Sequence, residues 1–198
     1  MMNDDSDLAL IYEAVVSTVS AAGQVHIAPM GIRYEGADRE TVVLMPFKPS
    51  TTLENITSTG HAVLNTLTDV RVIAGCVTGR KQWPTVPAEQ VPGVRLAAAL
   101  GHAELRLVGQ QDDAQRPVLR LARVHTASHG WFHGLNRAQA AVVEGAVLIS
   151  RLHMLPAEKI DTEMKYLQIA IDKTAGPAEH EAWGWLQEAV EVFRASRG

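Results

Sequence analysis

Near residue 135 the spacing of the apolar residues changes, and that change limits the folds open to this chain. Before it, short stretches rich in β-branched residues alternate with turn residues, as half-buried strands do. After it, apolar residues recur every three to four positions, as in helices with one buried face. A chain of 198 residues, 46% of them hydrophobic, can bury one substantial core with an appended unit. The expected architecture is therefore α+β: a β-barrel-like domain over residues 1–134, then a three-helix unit over 135–198.

In the first part, IYEAVVSTVS (11–20), AAGQ (21–24) and VHIAPMGIRY (25–34) read as a hairpin. TVVLMPF (41–47) and HAVLNTLT (61–68) are further strands. Between them, PSTTLENITSTG (49–60) reads as a short helix, with Thr51 and Glu54 at capping-box spacing and Gly60 at its end. GHAELRLVG (101–109) and PVLRLARVH (117–125) form a later hairpin. Residues 80–93, with three prolines, read as a long excursion of the sort that often carries function. In the second part, helices are expected over 138–154, 157–174 and 179–196. Ile160, Met164, Leu167 and Ile171 line one face of the second, and Trp183, Leu186, Val190 and Phe193 one face of the third.

Several chemistries are excluded or disfavoured. A net charge of −4 without a basic patch argues against nucleic acid. No apolar run reaches the roughly 20 residues of a membrane span, and the opening MMNDDSDLAL lacks the basic start of a signal peptide. A cytoplasmic protein is expected. The single cysteine, Cys76, excludes an internal disulfide and reads as a small buried hydrophobe in VIAGCV. No P-loop, G-x-G-x-x-G turn or G-x-S-x-G elbow appears. His125, His129 and His133 stand four apart, but Gly130 interrupts them and no carboxylate lies near in sequence, so no metal site is expected.

Two junctions carry candidate binding chemistry. In PFKPSTTLENI (46–56), Lys48, Ser50, Thr51, Thr52 and Asn55 crowd the start of the short helix. Free N–H groups, hydroxyls and an ammonium there suit a phosphate monoester, and an ordinary capped helix has the same residues. In HGLNRAQAA (133–141), Asn136 is a good cap and Arg137 enters the first turn, where a cation is unfavourable without a compensating anion. Arg137, Glu144 and Arg151 share a helix face, so a solvated ion-pair row competes with an anion site.

These residues together resemble a known pattern. I-A-P-M-G-I (27–32), P-F-K-P-S-T-T-x-x-N-I (46–56) and V-L-N (63–65) are similar to the flavin-reductase-like, FMN-binding split barrels. With G-L-N-R-A-Q-A-A-V-V-E (134–144), S-R-L-H-M-L-P-A-E-K-I (150–160) and K-T-A-G-P-A-E (173–179), the chain resembles the family catalogued as domain of unknown function 447 over roughly residues 10–195. The resemblance implies a split β-barrel followed by a C-terminal three-helix unit, and a homodimer holding FMN near the subunit interface. It implies that Ala28, Pro29, Met30 and Gly31 run along the flavin ring, and that Lys48, Ser50, Thr51 and Thr52 hold the phosphate. Asn65, polar within an apolar strand, would meet a flavin edge or else a backbone carbonyl. Asn136, Arg137 and Gln139 would reach the cofactor from the helical unit. The implied activity is a flavin-dependent reduction of a small molecule, pterin-like by association with one-carbon metabolism. The alternatives are a non-catalytic flavin-binding or scaffold protein in a cofactor-biosynthesis pathway, and a site for some other phosphate ester. No residue demands a catalytic role; His129 or His133 could supply a proton.

Overall fold

The computed structural model describes residues 10–196. They divide into two compact units: residues up to 67 with 83–131, and residues 68–82 with 132 onward. The sequence reading placed all of 1–134 in one domain; in the structure, residues 68–82 cluster with the helices instead.

The first unit is a closed barrel of six antiparallel strands. In chain order these are β1 (Tyr12–Val19), β2 (Val25–Glu35), β3 (Thr41–Leu44), β4 (His61–Thr66), and the long hairpin of Gly101–Gln111 and Val118–Ser128. A nine-residue helix, α1 (Thr51–Thr59), packs on β1, β2 and β4. Period-two alternation sends Val16, Ile32, Leu44, Leu105, Leu119 and Leu121 inward, joined by Leu53 and Ile56 of α1. Each fully buried side chain of this size stabilises by roughly 1.5–3 kcal/mol. The barrel's α1 is capped by Ser50, whose Oγ accepts from Leu53 N–H, and closed by Gly60 at φ 76°. The cap is thus Ser50 and not Thr51.

The proline-rich excursion is a strap. Residues 83–100 carry a two-stranded ribbon, β5 (Thr85–Pro87) and β6 (Val94–Leu96), laid over the outer face of β1 and β4. The hairpin that follows is then β7 (Gly101–Gln111) and β8 (Val118–Ser128).

The second unit starts with a helix the sequence reading left unassigned, α2 (Arg71–Val77), and continues with α3 (Arg137–Ile149), α4 (Ala157–Thr174) and α5 (Pro177–Ala195). Its core joins Val70 and Ala74 to Val142, Ile160, Ile171, Trp183 and Leu186. The apolar faces expected for α4 and α5 are the ones buried there, with Met164, Leu167 and Phe193 at its margin. Cys76 is half-buried on α2, more accessible than expected. Among the described residues no helix is long and apolar enough to cross a membrane.

Candidate functional site

The strand VHIAPMGI keeps its pairing with β1 through Pro29, in register Val15–Pro29, Ala14–Met30 and Glu13–Gly31. It can do so because β3 pairs only with residues 32–35, leaving residues 25–31 with a partner on one side. A proline whose nitrogen faces that open side interrupts no ladder bond. Ala28, Pro29, Met30 and Gly31 are all half-exposed along this edge. Gly31 has a reason of its own, since a Cβ there would stand 2.9 Å from Ile11 Cγ2.

At the start of α1, the N–H groups of Thr51 and Thr52 have no protein partner among the described residues. They form the positive end of the helix dipole. Lys48 is ion-paired with Asp112, and the pairing holds that carboxyl below its usual range. Asn55 is buried and donates to Thr18 Oγ1 at 2.9 Å, tying α1 to β1. Met30 packs against the same barrel core that Leu53 and Ile56 enter.

Asn65 is fully buried, and the structure shows protein at each of its polar atoms. Nδ2 reaches Val15 O, Ser17 Oγ and Val63 O at 3.0–3.2 Å, and Oδ1 accepts from Leu96 N–H at 2.7 Å. Of the two partners considered for it, backbone is the one observed. It pins β6 of the strap to the barrel, helped by Ser17 Oγ donating to Val94 O.

In the helical unit, Asn136 caps α3 by accepting from Ala138 and Gln139 N–H, and its Nδ2 donates to Thr174 O. Gln139 donates to Glu179 Oε1 at 3.0 Å. Arg137 is exposed. No ion pair joins Arg137, Glu144 and Arg151.

The most unusual chemistry of the barrel joins His125 and His129, which the sequence singles out, to Glu104 and His102, which it does not. Glu104 on β7 is fully buried, yet charged. Desolvation pushes its carboxyl upward, but the N–H groups of Glu89 and Gln90, then His102 and Val91 N–H, outweigh burial and hold it below the ordinary range. Its oxygens accept from Glu89, Gln90 and Val91 N–H at 2.6–2.8 Å and lie 3.2 Å from His102 Nε2. His102 Nδ1 in turn lies 2.8 Å from His129 Nε2, the two rings within 18° of parallel and their centroids 5.0 Å apart. His125, opposite Glu104 across the ladder, completes a set with His102 and Glu104 whose ligand-type atoms lie within 4.8 Å of one another. A bulge at Val124, between the pairs Glu104–His125 and Leu105–Arg123, sets this face. His102 and Glu104 carry no sequence signal of their own, because they alternate with Ala103 and Leu105 and so read as an ordinary solvent-facing side of a strand. His133 belongs to the other unit.

Residues 12–130 match the family model described as Protein of unknown function (DUF447) N-terminal domain, and 136–188 the one described as Protein of unknown function (DUF447). An FMN-bound protein of that family from Methanosarcina mazei has a similar solved structure, at TM-score 0.76 and 21% identity, covering 90% of this chain and 94% of that one. Two others are similar over less. A 2-nitrobenzoate 2-nitroreductase from Pseudomonas fluorescens has TM-score 0.52 at 21% identity, over 59% of this chain and 64% of its own. Flavoredoxin from Methanosarcina acetivorans has TM-score 0.53 at 12% identity, over 65% and 74%. No curated protein matches the chain. With both its strand and helical parts matched, this chain is an α+β split-barrel protein and belongs to the family described as Protein of unknown function (DUF447).

Proposed function

We propose that this chain is an FMN-binding protein and acts as a flavin-dependent oxidoreductase on a small, pterin-like molecule, as a cytoplasmic homodimer. The observation that carries the flavin reading is the near full-length likeness to an FMN-bound member of the same family. The chain's own residues fit the group. The half-exposed edge at Ala28–Gly31 offers main chain to a flat ring, and the unpartnered N–H groups of Thr51 and Thr52 suit a phosphate. Ser50 fixes that helix start, and Lys48 would exchange Asp112 for the phosphate. FMN, when bound, supplies hydride or single-electron transfer, while the protein positions it.

The test is the visible absorption spectrum of the purified protein before and after incubation with FMN and gel filtration. Retained flavin bands are expected, with affinity falling about tenfold in Lys48→Ala, the loss of one charge-assisted bond. A protein that stays colourless overturns the reading. Retained flavin that no reductant and acceptor pair turns over favours a non-catalytic flavin-binding role instead.

A further inference from the structure

Glu104 and His102 are both buried, and nothing in the flavin reading uses them. A carboxylate held by three main-chain N–H groups accepts only, so the proton between it and His102 sits on Nε2. With His102 neutral, its Nδ1 is then a lone pair, and the 2.8 Å contact requires His129 to donate from Nε2. His129 is exposed, and in this tautomer its Nδ1 carries a lone pair, backed by two buried groups. The same atoms argue against a metal among His102, Glu104 and His125. Glu104 Oε1 already meets Glu89 N–H and His102, and Oε2 meets Gln90 and Val91 N–H, which occupies the acceptor sites a cation would need.

We propose that Glu104, His102 and His129 form a proton relay that makes His129 a proton-exchanging group for a small molecule with an ionisable oxygen or nitrogen. His129 Nδ1 takes a proton from the ligand, and the imidazolium passes its Nε2 proton to His102 Nδ1. His102 then carries protons on both nitrogens beside the Glu104 carboxylate, so the added positive charge meets a buried negative one. The reverse path returns the proton. Glu104 and His102 are positioning residues, since neither reaches the surface. Other groups act on the pair: burial, then Arg95 on β6 and His102 disfavour a proton on His129, Glu89 favours one, and His125 stands beside His102, 3.6 Å from the Glu89 carboxylate.

The proposal does not rest on flavin binding and is tested without added FMN. Two-bond proton–nitrogen NMR spectra of the imidazoles in the full-length protein, followed through pH, read the protonation state of each ring. His102 and His129 are expected to titrate with a shared midpoint. In Glu104→Gln that midpoint should fall, with at least tenfold weaker proton affinity. If Glu104→Gln does not fold, His129→Gln, altered only at an exposed side chain, should shift the His102 midpoint by a similar factor. Independent titration of the two rings, or midpoints unmoved by either substitution, overturns the relay. So does stoichiometric zinc binding that broadens or shifts His102 and His125 together, which would make the cluster a metal site.

Discussion

At the scale of single residues, Glu104 decides how the strap is held. Its folded-state proton affinity is lower than that of an unfolded glutamate, near pH 4.3. The unfolded chain therefore binds more protons between the two values, and stability is lost as pH falls through the folded one. Above pH ~5 the contribution is complete. Glu104→Gln should cost about 3 kcal/mol at pH 7, because an amide offers one acceptor where three N–H groups need them. The gap in unfolding free energy between wild type and variant should start to narrow as pH falls below the unfolded value and shrink further through the lower folded one. Denaturant titrations at pH 7, 5 and 3.5 check this; a gap independent of pH would mean that the charge on Glu104 is irrelevant to the strap.

At the scale of elements, two glycines in the helices distinguish packing from propensity. Gly184 on α5 is exposed, and a Cβ there meets nothing within 4 Å. Gly184→Ala should raise stability by roughly 0.5–1 kcal/mol. Gly145 on α3 faces Leu186 and Trp183, each 2.9 Å from a built Cβ, so Gly145→Ala should destabilise despite the same gain in helix propensity. Thermal melts of the pair should move in opposite directions. The elements also show what sequence could and could not convey. Strand β2 is legible through its proline because β-branched Val25, Ile27 and Ile32 flank it, although the two buried ones, Ile27 and Ile32, stand five apart and so lie on opposite faces. Helix α2 is not: Val70 supplies no side-chain cap, and seven residues RVIAGCV contain too little period to separate helix from strand. The short α1 is readable from Thr51 and Glu54 at capping-box spacing and from Gly60 at its end, although the residue that caps it is Ser50, one position earlier. The strap's prolines announced an excursion. Its anchors, Asn65 and Glu104, were invisible as anchors because their partners lie 13 to 31 residues away and are backbone atoms, which carry no sequence signal.

At the scale of the whole molecule, the sequence boundary at 134/135 is not where the units separate. The chain contributes α2 to the helical unit before it has completed the barrel. Val70 and Ala74 are 4% and 0% exposed, and they share one core cluster with Val142, Trp183 and Leu186. A fragment of residues 1–134 would leave that apolar face of α2 uncovered. It should aggregate or bind a hydrophobic dye where the full chain does not. Replacing residues 68–82 of that fragment with a polar linker should restore a dispersed barrel, read by gel filtration and circular dichroism. A well-behaved 1–134 fragment would show that α2 needs no partner.

The early position of α2 also bears on how the protein is made. Roughly 110 residues separate Ala74 from Trp183, so at typical translation rates about 5–20 s pass between their synthesis. The barrel's last strand ends at Ser128, well before α5 is complete. On the ribosome, the barrel has all its strands while α2 still waits for its neighbours. During that interval Val70, Ile73 and Val77 are a chaperone's natural target.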